Sequence, residues 1–135
     1  MDRKELKRKI KKDFKFLSDE VMGALLYGSA VREDYHEGSD IDVCIVSPSV
    51  EDKSKFSRQI LSNIHDERYD VRLFELMPLY LKMDVIEKGE VVYAKDTYEL
   101  YEYFYSFRKL WDDQKHRQRL SKKEALALFA VDVHG

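Results

Sequence analysis

Two aspartates one residue apart, Asp40 and Asp42, lie at the start of an apolar stretch of the chain. Alternate side chains of a β-strand point to the same face, so a strand here puts both carboxylates on one side, with Cα atoms about 6 to 7 Å apart. Adjacent carboxylates repel each other unless a cation lies between them or one of them is protonated. Oxygen ligands without a nearby His or Cys cluster favour Mg²⁺ or Mn²⁺ over zinc. The pair indicates a metal site, while two solvated acids at a strand edge remain the commoner interpretation of this motif alone.

A Gly-Ser pair precedes the acids and offers a place for phosphate. Gly28 follows a short apolar run, and ten residues separate Ser29 from Asp40. Glycine lets the backbone approach a ligand closely, and the free N–H groups of a short helix after Ser29 can face an anion. A Gly-Ser turn by itself is an everyday turn. Its combination with the two acids predicts a site for a triphosphate and its metal.

The order of these motifs resembles a known signature. Gly-Ser, ten residues, Asp-Ile-Asp and the apolar Val-Cys-Ile-Val are similar to the pattern of the DNA polymerase beta-like nucleotidyltransferase superfamily. Its minimal nucleotidyltransferases are the most similar variety and are small enough to occupy nearly all of this chain. Arg32 stands where the family often has a basic residue, and Ser39 matches the serine that commonly precedes the acids. Glu33 departs from the pattern, because many members have glycine there.

The resemblance implies roles for these residues and for a third carboxylate on a neighbouring strand. Nucleotide binding falls to Gly28, Ser29, Arg32 and Ser39, and metal binding and catalysis to Asp40, Asp42 and the third acid. Asp70 enters an apolar strand pattern and is favoured for that position, where it would complete one metal site and help to deprotonate the attacking hydroxyl. Asp66 and Glu75 remain alternatives, and strand parity places Glu75 on the face opposite Asp70.

The activity implied by the resemblance is a metal-dependent transfer of a nucleoside monophosphate to a hydroxyl group. By family habit the donor is ATP, the transferred group is AMP and the metal is Mg²⁺ or Mn²⁺. The minimal enzymes resemble antitoxins that work with a separate HEPN-domain toxin and can adenylylate it on tyrosine. One alternative is AMP transfer to a small molecule, which the short chain disfavours. Another is a non-catalytic module that binds nucleotide or masks its partner.

Helical and strand patterns alternate along the chain, which predicts an α/β (α+β) fold with a small mixed sheet flanked by helices. Helices are expected over 2–17, 52–65, 78–87 and 97–119, with a further short helix starting at Ser121, and strands over 24–27, 41–46, 71–76 and 91–94. We expect one nucleotidyltransferase domain over 1–135, with a core at about 18–95 and a helical C-terminal segment at about 97–131.

The long helix expected from residue 97 carries aromatic side chains on two faces. One stripe, expected to be core, consists of Leu100, Phe104, Phe107 and Trp111, and a second consists of Tyr98, Tyr101 and Tyr105. A small monomer does not normally bury this much aromatic surface. The helix therefore predicts an interface with a partner protein or a homodimer, with packing on the N-terminal helix as the alternative.

The composition limits the remaining classes of function. An apolar share of 44% suits one globular core, and a net charge of -2 makes nucleic acid an unlikely partner despite a basic face on the first helix. No stretch approaches the roughly 18 apolar residues of a membrane helix, and no signal-peptide pattern is present. Cys44, the single cysteine, lies in an apolar strand pattern and is expected in the core. These features predict a cytoplasmic protein.

Overall fold

Four strands and four α-helices make up the fold of the residues that the structure describes. The structure, a computed structural model, describes residues 1–32, 36 and 38–134, of which 129–134 are described for their backbone alone. The elements are α1 (Arg3–Asp13), β1 (Gly23–Tyr27), β2 (Ile41–Val46), α2 (Lys53–Asn63), β3 (Tyr69–Leu73), α3 (Leu79–Lys88), β4 (Glu90–Ala94) and α4 (Thr97–His134). Short 3₁₀ helices follow α1, β1 and β3, at Lys15–Leu17, Gly28–Val31 and Phe74–Leu76. The predicted fold class is confirmed.

The strands form one mixed sheet in the order β3-β2-β1-β4. Strand β1 runs antiparallel to β2 and β4, whereas β2 and β3 are parallel and are joined by a crossover that contains α2. The register sets Tyr27 opposite Asp42, and Asp42 opposite Asp70. The C-terminal end of β1 therefore meets the N-terminal ends of β2 and β3 at one end of the sheet.

Helices α1 and α2 cover one face of the sheet. Each begins at an aspartate whose side chain accepts a hydrogen bond from the backbone of the first turn, Asp2 from Glu5 N and Asp52 from Lys55 N. Their buried side chains pack with the 3₁₀ residue Leu17 and with the inward-facing residues of β1 and β2. The residues of α1 and α2 in this layer are Leu6, Ile10, Phe56 and Ile60, and Phe14, which directly follows α1, packs with them. Leu6, Ile10, Phe14 and Leu17, which recur at helical spacing in the sequence, are all buried.

Helices α3 and α4 cover the opposite face, where Phe74 is fully buried. The rings of Phe104 and Phe107 both lie 5.2 Å from that of Phe74, between ring centroids. Leu100 and Phe104 are buried and Phe107 packs against the same cluster. Trp111 is only half-buried, with Lys115 over its ring. The predicted core stripe of α4 is therefore confirmed for its first three members, and this helix packs on α3 rather than on the N-terminal helix.

Three boundaries differ from those expected by more than two residues. Helix α1 ends at Asp13 rather than at residue 17, and a 3₁₀ helix follows it. Helix α4 continues to His134, so Ser121 lies inside it instead of capping a new helix. No Gly or Pro interrupts the chain from Thr97 to His134, and a serine inside a helix costs little. The third strand covers Tyr69–Leu73 rather than 71–76, because the chain turns there and buries Phe74. None of the helices within the described ranges has the length and apolar character needed to cross a bilayer.

Candidate active site

Gly28 brings the end of β1 against the carboxylate of Asp42. Its φ of +69° is the left-handed conformation that glycine adopts readily and other residues rarely do. A Cβ atom at this position would lie 2.2 Å from Asp42 Oδ2, far inside van der Waals contact. Both the backbone conformation and the space therefore require glycine, and the chain turns directly beside the acid.

Asp42 and Asp70 face each other across the parallel strands β2 and β3. Asp42 lies two residues before Cys44, whose side chain belongs to the cluster under α3 and α4, so both acids project from that face of the sheet. Burial raises the pKa of Asp42, and the charge of Asp70 and a hydrogen bond between the two side chains raise it further. Burial, followed by the charge of Asp42, also raises the pKa of Tyr27. A cation between the two carboxylates would relieve this repulsion.

Asp40 lies just outside β2 and is exposed. Its charge makes a smaller contribution to raising the pKa of Asp42, after burial and Asp70. Among the residues that the structure describes, no three carboxylate, imidazole or thiolate groups are gathered closely enough to hold a metal ion together. The structure thus brings Asp42 and Asp70 together and leaves Asp40 beside them. Oxygen-only donors whose carboxylates repel each other fit Mg²⁺ or Mn²⁺.

The two alternatives for the third acid lie elsewhere. Asp66 accepts from Arg68 at 2.9 Å and from Lys9 at 3.0 Å, and the hydrogen bonds from Arg68 hold its pKa well below the usual range. Glu75 accepts hydrogen bonds from Ser47 N, Ser47 Oγ and the hydroxyl of Tyr103, at 3.0 to 3.1 Å. Glu75 belongs to a 3₁₀ helix, so strand parity does not apply to it and that argument was wrong. Asp70 alone of the three lies opposite Asp42, and its catalytic role stays a prediction.

Ser29 and Arg32 belong to the turn that follows β1. Ser29 is half-buried in the 3₁₀ helix Gly28–Val31, and its carbonyl oxygen accepts a hydrogen bond of 3.0 Å from the backbone N–H of Arg32. Arg32 ends this turn with an exposed side chain. The turn sets both residues next to Gly28, as the sequence predicted, and their nucleotide-binding roles stay predictions.

Ser39 is held in a turn by His36. The backbone N–H of Ser39 donates to the carbonyl oxygen of His36 at 2.9 Å, and the Ser39 hydroxyl accepts from the backbone N–H of His36 at 3.3 Å. His36 Nδ1 also accepts from the backbone N–H of Gly38. Glu33, the departure from the family pattern, lies outside the described residues. Ser39 is thereby positioned directly before Asp40.

Arg72 is a charged residue of this region that the sequence reasoning missed. Its Nη2 lies 3.6 Å from Asp70 Oδ2. Its positive charge also lowers the pKa of Asp42, against the larger raising effects of burial and Asp70. The signal was present in the sequence, because Asp70 and Arg72 are spaced by one residue on a strand, as Asp40 and Asp42 are, and so share a face.

A family profile described as "Nucleotidyltransferase domain" matches residues 7–92. The chain belongs to this family. The matched range contains the Gly28 turn and all three candidate acids, and the family expected from the sequence signature is confirmed. The protein is accordingly a nucleotidyltransferase.

Individual relatives agree with this assignment. A protein of Methanocaldococcus jannaschii, named as a candidate protein adenylyltransferase, is 41% identical over 99 residues, which are 73% of this chain and 76% of that protein. A chain from a toxin-antitoxin structure with AMP-PNP aligns with a TM-score of 0.66 at 15% identity, over 89% of this chain and 98% of that one. A chain from a complex of a tri-AMPylated Shewanella oneidensis HEPN toxin with an MNT antitoxin aligns with a TM-score of 0.61 at 15% identity, over 92% and 98%. The two structural matches show that the fold is shared.

Proposed function

We propose that this nucleotidyltransferase transfers AMP from ATP to a hydroxyl group of a partner protein, using Mg²⁺ or Mn²⁺ held by Asp40, Asp42 and Asp70. The observation that carries the proposal is the facing pair Asp42 and Asp70 beside the Gly28 turn, where a Cβ atom would collide with Asp42. Two half-buried carboxylates in contact are costly without a cation, and a glycine turn lets the backbone approach a phosphate closely.

The chain's own residues divide the work of binding. Gly28 and Ser29 present their backbone to the phosphates, while Arg32 supplies positive charge and Ser39 supplies its hydroxyl. When bound, the metal ion neutralises phosphate charge and lowers the pKa of the attacking hydroxyl. Asp42 and Asp70, fixed on adjacent strands, hold the site in one geometry, so that little reorganisation is needed during the reaction.

The chemical step is a displacement at the α-phosphorus of ATP. The acceptor oxygen forms a bond to that phosphorus, and the bond from the phosphorus to the oxygen that bridges it to the β-phosphate breaks. Pyrophosphate leaves, and Asp70 accepts the proton of the acceptor hydroxyl. Catalysis in this scheme is positioning and charge stabilisation, as in phosphoryl transfer generally.

ATP as donor and protein as acceptor are supported by the relatives. The curated relative is named for protein adenylyltransfer, one structural neighbour contains AMP-PNP, and another is a complex with an AMPylated toxin. On this basis the partner is a HEPN-like protein, and the proposed role of this chain is that of an antitoxin.

Helix α4 supplies the surface for such a partner. Its second stripe is exposed, with Tyr98 at 73%, Tyr101 at 56% and Tyr105 at 65%. Every described side chain from 112 to 128 is exposed as well. A helix without tertiary packing is marginal in water, so this outer part of α4 would gain stability from a partner. A homodimer through the same helix is the second possibility.

A non-catalytic antitoxin module is the rival function, and the position of Asp40 favours it. The described residues do not gather three ligands for a metal. Such a module would keep the fold and bind nucleotide or partner without transferring AMP. The same experiment separates the two functions.

The test is incubation with α-labelled ATP and Mg²⁺, alone and with a lysate of the source cells. The Asp42→Asn variant and the control Asp19→Asn, an exposed aspartate that precedes β1, are run alongside. We expect a labelled protein band with wild type and Asp19→Asn and none with Asp42→Asn. Label in a small molecule would mean that the acceptor is a small molecule rather than a protein. ATP binding without any labelled product would establish the non-catalytic module. Transfer that persists in Asp42→Asn would overturn the proposed site.

A further inference from the structure

Arg72 lies beside the candidate metal site, and the proposed mechanism gives it no role. It lies on β3, two residues after Asp70, and therefore on the same face of the sheet. Its guanidinium is 3.6 Å from the Asp70 carboxylate, and the two side chains are 55% and 43% exposed. An ion pair this long and this exposed contributes little to folding stability. Stability alone thus gives a weak reason for an arginine here.

The position of Arg72 makes it a counter-charge for the acid pair as a whole. It contacts Asp70, and its charge also acts on Asp42, which lies opposite Asp70 in the parallel register. A divalent cation bound by these carboxylates would repel the guanidinium from them. The half-exposed side chain has solvent space into which it can turn.

We propose that Arg72 is a nucleotide-phosphate-binding residue, which Asp70 holds at the site until the metal-bound nucleotide takes over the carboxylates. This inference rests on the proposed function and adds a residue to it. A planar guanidinium presents paired N–H donors that match phosphate oxygens, and its charge is permanent. The carboxylates that bind the metal therefore also hold the Arg72 side chain in place when nucleotide is absent.

The assignment predicts that metal binding and nucleotide binding respond differently to the loss of Arg72. The variants are Arg72→Ala, Arg72→Lys and the control Arg58→Ala, an exposed arginine on α2 across the sheet. Mn²⁺ affinity is measured without nucleotide by electron paramagnetic resonance. Affinity for a non-hydrolysable ATP analogue is then measured by calorimetry at saturating Mn²⁺.

We expect Arg72→Ala to weaken binding of the analogue about tenfold or more, the scale of a lost charge-assisted hydrogen bond. Its Mn²⁺ affinity should stay unchanged or rise, because a competing cation has gone. Arg72→Lys should recover part of the analogue affinity, and Arg58→Ala should behave as wild type. Thermal unfolding confirms that each variant is folded, and Arg72→Gln replaces Arg72→Ala if the latter is not.

Two results would overturn the assignment alone. Unchanged analogue affinity in Arg72→Ala would remove the phosphate contact, and a loss of Mn²⁺ affinity equal to the loss of analogue affinity would make Arg72 a positioning residue for Asp70. A wild-type protein that binds neither Mn²⁺ nor the analogue would overturn the proposed function and this assignment together.

Discussion

Replacement of Gly28 by alanine adds one methyl group at the closest approach of β1 to the candidate metal site. The added Cβ would lie 2.2 Å from Asp42 Oδ2 and 3.1 Å from its Cγ, on a backbone with φ of +69°. The left-handed conformation alone costs a residue with a Cβ about 1–2 kcal/mol. The contact with Asp42 adds to this, because the carboxylate must turn away from Asp70 or the strand end must shift.

Urea unfolding and Mn²⁺ binding together measure these two effects. We expect Gly28→Ala to lower the free energy of unfolding by at least the conformational cost and to weaken Mn²⁺ binding as Asp42 is displaced. In an Asp42→Gly background the clash is absent, so the same substitution should cost only about 1–2 kcal/mol from the backbone. Gly38→Ala is the matched control, because among the described residues its Cβ would meet only His36, at 3.4 Å. A Gly28→Ala protein with wild-type stability and Mn²⁺ affinity would refute the reasoning.

Three further predictions concern Asp42, Tyr103 and the outer part of α4. Burial and Asp70 raise the pKa of Asp42, so the folded protein binds this proton more tightly than the unfolded chain does. The contribution of Asp42 to the stability of the metal-free protein should therefore be lost as pH rises above about 4. In urea unfolding at a series of pH values, the stability of wild type relative to Asp42→Asn should fall over that range. Tyr103→Phe should cost about 1 kcal/mol in the same assay, because it removes one of the hydrogen bonds to Glu75. The double variant Leu126→Gln/Leu128→Gln should keep the wild-type melting temperature, because these side chains are 68% and 69% exposed. It should weaken association in sedimentation velocity, either with the partner protein or, where the protein forms a homodimer, between its own copies.

Each of these has a result that would contradict it. A stability profile of Asp42→Asn parallel to that of wild type from pH 4 to 7 would show that Asp42 is not the group responsible. A Tyr103→Phe variant with the same free energy of unfolding as wild type would mean that the hydrogen bonds from Ser47 are sufficient for Glu75. Unchanged association of the double leucine variant would remove the outer part of α4 from the interface. Replacement of the exposed Tyr101 by alanine would then test the second stripe of α4.

Local patterns determined much of the fold. The apolar spacing of α1 and of the start of α4 predicted which side chains are buried, because a helix repeats its faces every 3.6 residues. The Gly-Ser turn and the two aspartates pointed to the family, and Gly28 indeed has the conformation and the crowding that need glycine. These features depend on neighbouring residues, so they can be read along the chain.

Only the tertiary structure decided what lies opposite Asp42. The parallel register of β2 and β3 places Asp70 there and sets Arg72 beside it, whereas the turn after β3 directs Glu75 to Ser47 and Tyr103. Strand parity failed for Glu75 because burial of Phe74 ends the strand, and this burial needs α4, which comes much later in the chain. The sequence by itself thus determined the periodic faces, the glycine turn and the family. Which acids meet was decided by pairing between distant strands, whose register depends on packing across the whole sheet rather than on the residues beside each acid.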